Sequence, residues 1–268
     1  MYSEVALAFF APLRIKTMTT TIQNPWFPKL NSNPQAKLRL FCFPYAGGST
    51  YIYDRWSDFI PDTIEICPIE LPGRRKRFTE YPYQNLDSLL LNLSAALLPY
   101  LDKPFIFFGH SMGGLISFEL TRLLRQKYNV SPVHLFISAC RATQLPKSKP
   151  DIHHLSDRAF TNEIIRLGGT PEAILNDKEM MDLILPTLKA DFKVIETHVY
   201  HDQTPLNVPL TVFGGDGDTE VTLEELAAWQ EQTTADFKLK MFSGGHFFIE
   251  SERSHILESI CDALELYV

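Results

Sequence analysis

The residues best suited to chemistry surround a serine that stands between glycines. The segment PFIFFGHSMGGLISFEL contains the pattern G-x-S-x-G, with Ser111 at its centre and Gly109 and Gly113 on either side. Because an apolar run precedes the pattern and an amphipathic one follows it, we expect a strand, a sharp turn and a helix. A β-carbon in place of either glycine would crowd the neighbouring strand or helix. Ser111 is therefore the candidate nucleophile, at a helix start that favours negative charge.

A serine hydroxyl needs a base beside it, and eight histidines could supply one. With a serine turn of this kind, the order along the chain is serine, then an acid, then a histidine after the last strand. His246 in FKLKMFSGGHFF meets this condition, behind a Gly-Gly turn. The alternative for His246 is a loop histidine with a purely structural role. The other histidines fall beside the serine, in a strand, in an inserted segment or in the last helix (His110, His134, His153, His154, His198, His201 and His255).

The acid that orients the histidine should follow the apolar run LTVF, in the turn GGDGDTEV. Its carboxylate would hold the imidazole in one tautomer and stabilise the imidazolium. The turn offers Asp216 and Asp218. We favour Asp218 because, as the last residue of GDGD, it lies clear of the strand end, whereas Asp216 could instead cap the turn.

Two backbone N–H groups usually stabilise the oxyanion that forms when a serine attacks a carbonyl. One should belong to Met112, directly after the nucleophile. The other should come from the loop after an early strand, where the bend PYAGG makes Ala46 the candidate donor. The alternative is that Gly47 and Gly48 only form a tight turn. The bend lacks the G-x-x-x-x-G-K-[ST] spacing of a phosphate-binding loop.

Short β-branched and aromatic runs alternate with helical patterns along the chain, which is typical of an α/β protein with a mainly parallel central sheet flanked by helices. Continuous apolar runs such as FIFF indicate strands covered on both faces. A capping box of Thr222 and Glu225 begins one helix. The predicted strands cover 37–43, 63–69, 104–108, 133–138, 210–213 and 237–242, and the predicted helices include 86–100, 115–128 and about 255 to the end.

The interval 141–206 interrupts this alternation, because it contains helical patterns and no convincing strand. We expect an inserted helical lid there, with helices over 157–167, 178–188 and 189–200. The chain length predicts a single domain over 31–268 that includes the lid. Residues 1–30 are expected to be a disordered extension, and the polar segment after Met18 resembles a fresh start of translation.

The composition argues against several classes of partner. A net charge of -7 disfavours nucleic acid and anionic membranes, and no apolar run reaches the length needed to span a bilayer. The first residues lack the basic start and cleavage site of a signal peptide. Four cysteines without C-x-x-C spacing indicate reduced thiols, so we expect a cytoplasmic protein, by default a monomer.

Taken together, the motifs closely resemble type II thioesterases of nonribosomal peptide and polyketide synthesis, which have the α/β-hydrolase fold. The resemblance extends from about Leu38 to the C-terminus, through FPYAGG, LPGR, GHSMGG, PTLKADF, GGDGD and GGHFF in that order. It implies hydrolysis of acyl thioesters from the phosphopantetheine arm of an acyl- or peptidyl-carrier protein, to clear misprimed or stalled groups. It also implies a triad of Ser111, Asp218 and His246, with Ala46 and Met112 in the oxyanion hole.

The same residues allow two other functions. The chain could be a free-standing esterase or acyltransferase that acts on small soluble esters, or a binding protein that keeps the fold without catalysis. We expect no metal, since no HExxH or ligand-spaced cluster occurs, and no cofactor apart from the phosphopantetheine of the substrate.

Two further segments invite a role. The run Arg74-Arg75-Lys76-Arg77 could attract an acidic carrier protein, or could simply be a solvated loop. The run NLDSL from Asn85 is similar to a carrier-protein attachment site, but the glycines that should precede it are missing and it opens a helical pattern, so we interpret it as a helix start.

Overall fold

Six parallel strands form one sheet among residues 24–30 and 33–265, which are the residues that the computed structural model describes. The order across the sheet is β2-β1-β3-β4-β5-β6. Each strand coincides with a predicted one to within two residues, and the predicted α/β-hydrolase fold is confirmed. The strands are β1 (Leu38–Phe43), β2 (Ile64–Pro68), β3 (Phe105–His110), β4 (His134–Ser138), β5 (Leu210–Gly215) and β6 (Phe237–Phe242).

Helices cover both faces of this sheet. The α-helices of the described residues are α1 (Leu86–Leu97), α2 (Met112–Tyr128), α3 (Asp157–Leu167), α4 (Glu172–Leu175), α5 (Lys178–Glu196), α6 (Leu223–Ala227), α7 (Phe248–Ser251) and α8 (Arg253–Leu264). Short 3-10 helices occur at Thr50–Tyr53, Trp56–Asp58, Arg75–Arg77, Leu98–Tyr100 and Ala228–Gln232. None of the helices in the described part of the chain is long and apolar enough to cross a bilayer.

The central strands are buried on both faces, as their continuous apolar runs predict. In β3, Phe105 and Phe107 pack against α1 and α2, whereas Ile106 and Phe108 pack against α8 and the segment around Trp56. Alternate residues of a strand point to opposite faces, so one strand contributes to two separate cores. This double packing fixes β3, and with it the start of α2, between two apolar layers.

Helices α3, α4 and α5 lie between β4 and β5, within the interval where we expected an insertion. They share a small core that includes Phe160, Ile164 and Leu185. The prediction of separate helices over 178–188 and 189–200 is wrong, because α5 continues through Pro186 to Glu196. Proline removes one backbone hydrogen bond inside a helix, but the apolar residues on either side of it keep this helix packed. The one-turn helix α4 was not predicted.

The predicted disordered extension is wrong in its last part. Trp26 and Phe27 are buried, and the ring of Phe27 lies 5.7 Å from that of Phe41 and 5.1 Å from that of Tyr100. The segment 24–30 therefore belongs to the domain core. The rest of the predicted extension, up to residue 23, lies outside the described residues, as do residues 31–32 and 266–268.

The burial of Phe27 leads to a stability prediction. Phe27→Ala should lower the free energy of unfolding by about 3–5 kcal/mol, because it removes a buried ring and leaves a cavity. Phe59→Ala removes the same atoms from a side chain that is 49% exposed, and should cost less than about 1 kcal/mol. Urea denaturation of both variants would measure the difference. Equal losses would show that the segment 24–30 does not pack on the core in solution.

Candidate active site

Ser111 occupies a strained backbone position between β3 and α2. Its φ angle is 53° and its ψ angle is -116°, a region that residues with a side chain rarely adopt. Its N–H donates to the carbonyl of Ser138 at 2.8 Å, which ties the turn to the end of β4. A β-carbon at Gly109 would lie 2.0 Å from the carbonyl oxygen of Gly113, so this turn forms only if that position is glycine.

The structure brings Ser111, His246 and Asp218 together, although 135 residues separate the first two. Nε2 of His246 lies 3.0 Å from Oγ of Ser111, and Nδ1 lies 2.9 Å from Oδ2 of Asp218. The carboxylate can only accept there, so Nδ1 carries the proton and Nε2 is free to accept from the serine hydroxyl. The arrangement can therefore withdraw a proton from Ser111 and hold the resulting imidazolium against a carboxylate.

The two candidate acids have different partners. Oδ1 of Asp218 accepts hydrogen bonds from the N–H groups of Glu220 and Val221, and its side chain is only 1% exposed. Asp216 does not reach the imidazole. Its Oδ1 accepts from the N–H of Gly244 at 2.9 Å, and Gly244 lies in the loop that carries His246. Asp216 thus links the acid turn to the histidine loop, whereas Asp218 contacts the ring itself.

Ala46 and Met112 both line the cavity above Ser111. Met112 is the first residue of α2, where backbone N–H groups have no partner within the helix. Ala46 lies in the loop that follows β1. Among the described residues, no backbone carbonyl accepts a hydrogen bond from either amide. Both amides are thus available to an oxygen atom placed near Ser111.

His110 is a site residue that sequence reasoning missed. It is fully buried, with Nε2 2.9 Å from the carbonyl oxygen of His246 and Nδ1 2.9 Å from Oγ of Ser138. Burial, together with the nearby His246, lowers the pKa of His110 well below its usual value, so the ring is neutral at pH 7. Its Nε2–H then donates to His246 and its Nδ1 accepts from Ser138. The only sequence signal was its place beside Ser111.

Ser111 and His246 open into a cavity of about 1360 Å³ beneath the inserted helices. The far side of this cavity is largely apolar, with Ile164 and Leu167 from α3, and Ile184, Leu188 and Phe192 from α5. Ordinary small-molecule pockets measure roughly 300–1,000 Å³, so this one has room for a large or extended ligand. The described residues contain no group of three His, Cys, Asp or Glu side chains that could hold a metal ion.

Comparison with known proteins identifies the family. The model of the thioesterase domain matches residues 38–265. The chain belongs to the thioesterase family. It is 47% identical to the gramicidin S biosynthesis protein GrsT of Aneurinibacillus migulanus, over 91% of this chain and 95% of that protein. The predicted class of enzyme, a thioester hydrolase, is confirmed.

Solved structures give the same result. The RedJ thioesterase from the prodiginine pathway of Streptomyces coelicolor is 35% identical, with a TM-score of 0.79, over 88% of this chain and 96% of that one. The type II thioesterase BorB from the borrelidin biosynthetic cluster is 33% identical, with a TM-score of 0.78, over 85% and 93%. The resemblance to type II thioesterases that the motifs predicted is therefore confirmed.

The hydrogen bonds of the site predict how fast Ser111 reacts with a fluorophosphonate probe. Wild-type protein should be labelled at Ser111, and Asp218→Asn should slow labelling about 100-fold or more, because the imidazole loses the partner that fixes its tautomer. Asp216→Asn is the matched control, since an amide oxygen can still accept from Gly244, and its rate should stay within about threefold. Mass spectrometry of the labelled peptide measures both rates. Similar losses in the two variants would contradict the assignment of Asp218.

Proposed function

We propose that this thioesterase hydrolyses acyl groups from the phosphopantetheine arm of carrier proteins, with Ser111 as nucleophile, His246 as base and Asp218 as the acid that orients it. The observation that carries the proposal is the continuous series of hydrogen bonds from Ser111 through His246 to Asp218, beside a large cavity lined mainly by apolar surface. The phosphopantetheine belongs to the substrate, and the protein needs no cofactor of its own.

Acylation uses the groups in the order in which they are bonded. Oγ of Ser111 attacks the thioester carbonyl carbon while its proton passes to Nε2 of His246. Asp218 stabilises the positive charge that results on the imidazole. The tetrahedral intermediate then expels the thiol, which takes the proton from His246, and the acyl group remains on Ser111. A thiolate is a good leaving group, so little protonation is needed at this step.

Deacylation repeats the sequence with water. His246 removes a proton from a water molecule, which attacks the acyl carbon of the ester on Ser111. Collapse of the second tetrahedral intermediate returns the proton to Oγ and releases the carboxylic acid. In both intermediates the negative charge would lie between the amides of Ala46 and Met112, and each such donor lowers a barrier of this kind by roughly 3–4 kcal/mol.

A carrier-bound substrate suits the form of the site. The cavity of about 1360 Å³ is large enough for an acyl group and the end of a flexible arm, whereas a small soluble ester would leave most of its apolar wall uncovered. The relatives also support the proposal, since GrsT and BorB belong by name to the biosynthesis of gramicidin S and borrelidin.

The substrate class can be tested by comparing three acetyl donors. Acetyl-phosphopantetheinyl carrier protein should be hydrolysed with a kcat/KM at least about tenfold above that of acetyl-CoA and p-nitrophenyl acetate, because the carrier adds binding surface beyond the reacting group. Ser111→Ala should reduce all three rates at least about 10³-fold. Equal or faster hydrolysis of the simple ester would indicate a free-standing esterase that uses the same site.

The basic run near the site offers part of a surface for an acidic carrier. Arg74 and Arg77 are buried, so only Arg75 and Lys76 extend into solvent. Nε of Arg75 lies 3.7 Å from the carboxylate of Glu70, which partly balances its charge. Lys76 is thus the exposed cation of this run that is best suited to attract a carrier protein.

Charge reversal tests this surface. Lys76→Glu should raise KM for the acyl-carrier substrate about threefold or more at low salt and leave hydrolysis of acetyl-CoA unchanged, because a rim charge acts mainly on association. Lys37→Glu makes the same change in net charge at an exposed position directly before β1, at the amino ends of the strands and away from Ser111. This variant should leave KM for the acyl-carrier substrate unchanged. Equal KM values for the two variants would remove Lys76 from the interface.

A further inference from the structure

A buried ion pair joins the inserted helices to the loop that carries Ala46. Arg74 lies in the segment after β2 and Asp191 lies on α5. Their contact is bidentate, with Nη2 of Arg74 2.8 Å from Oδ1 of Asp191 and Nη1 3.0 Å from Oδ2. The two side chains are only 8% and 5% exposed. A bidentate pair in such a setting holds both groups in a fixed orientation.

The same two side chains also bind the backbone next to Ala46, one at an N–H group and the other at a carbonyl group. Oδ2 of Asp191 accepts the N–H of Gly47 at 2.7 Å, and Nη1 of Arg74 donates to the carbonyl of Gly48 at 2.9 Å. Gly47 has a φ angle of 74°, and a β-carbon there would lie 2.4 Å from Cδ2 of Leu188 on α5. Two hydrogen bonds and the close approach of Leu188 therefore fix the backbone on the C-terminal side of Ala46.

We propose that Arg74 and Asp191 are positioning residues, which hold the loop so that the amide of Ala46 points at the oxyanion formed on the Ser111 adduct. This inference rests on the proposed function, because it assumes that Ala46 donates to that oxygen. The physical basis is that oxyanion donors act only when they are already aimed at the developing charge, and a displacement of about 1 Å can lower a rate about 100-fold.

The inserted helices have a second role in this arrangement. Asp191 and Leu188 are both on α5, and Oγ1 of Thr187 on the same helix donates to the carbonyl of Gly73, next to Arg74. The inserted helices thus help to fix the loop that carries Ala46, and they also cover the cavity. One face of α5 contacts the residues on which the geometry of Ala46 depends.

A second buried ion pair allows a matched control. Nε of Arg39 on β1 lies 2.9 Å from Oε2 of Glu65 on β2, and their side chains are 10% and 6% exposed. This pair also joins an arginine to a carboxylate at similar burial, although through Nε alone, and Nη1 of Arg39 donates to the carbonyl of Tyr100 instead. Neither Arg39 nor Glu65 lines the cavity above Ser111. If the weakening of any buried ion pair were enough to lower kcat, then kcat should fall when either pair is changed.

The test compares Arg74→Lys with Arg39→Lys, since lysine keeps the charge and loses the fixed hydrogen-bond geometry of the guanidinium. We expect Arg74→Lys to lower kcat for thioester hydrolysis about 10- to 100-fold with KM within about threefold, while Arg39→Lys keeps the kcat of the wild type. Thermal melting and circular dichroism establish that each variant is folded at the assay temperature. An unchanged kcat for folded Arg74→Lys, or equal losses in the two variants, would overturn the inference.

A second measurement does not depend on the natural substrate. An alkylboronic acid forms a tetrahedral adduct with the nucleophilic serine, and its oxygen occupies the place of the oxyanion. The affinity of the protein for the boronic acid should fall in Arg74→Lys by about the same factor as kcat. In Arg39→Lys this affinity should equal that of the wild type. The double variant Arg74→Met/Asp191→Leu removes the buried charges together, so it should remain folded yet show the same loss.

The two hypotheses can fail separately. Wild-type protein that binds the boronate but does not hydrolyse a carrier thioester would overturn the proposed function. In that case the boronate affinities of the two lysine variants would still decide whether Arg74 positions the loop. Equal boronate affinity for the wild type, Arg74→Lys and the double variant would overturn the positioning role, even with full hydrolytic activity in the wild type.

Discussion

The backbone of Ser111 is held in a conformation that is unfavourable for a residue with a side chain. A residue held in such a sparsely populated backbone region costs of order 1–3 kcal/mol, and here the conformation is maintained by contacts from three directions. The N–H of Ser111 is bonded to the end of β4, Gly109 lies against the first turn of α2, and Gly113 lies against the end of β1. The sheet and α2 must therefore be fully packed before the hydroxyl can point into the cavity.

Everything else in the site follows from the parallel sheet. The loops after β1, β3, β5 and β6 all leave the sheet at the same end of the strands, because the strands are parallel and their carboxyl ends lie together. They carry Ala46, Ser111, Asp218 and His246 respectively. Cross-links between these loops then set the fine geometry, with His110 bonded to the carbonyl of His246 and Asp216 bonded to the N–H of Gly244. The sheet topology thus brings the loops close together, and hydrogen bonds between the loops set the positions of the side chains.

Local patterns were enough to predict the six strands and to choose Ser111, His246 and Asp218, because each depends on neighbouring residues and on chain order. They could not predict pairings between distant segments. The run around Arg74 was interpreted as surface charge, yet Arg74 is buried against Asp191, and Arg77 lies 4.3 Å from the ring of Trp26. The continuity of α5 through Pro186 and the burial of Phe27 likewise depend on partners far away in the sequence.

The position of α8 in the chain has a consequence for synthesis on the ribosome. This helix follows β6, and its apolar residues share one core with Ile106 and Phe108 of β3. That face of the sheet therefore stays uncovered until the residues of α8 have left the ribosome. Domains generally fold as units, and His246 precedes α8 in the chain. The turn that holds Ser111 and the loop that carries His246 should therefore become ordered together, once α8 is available to the core.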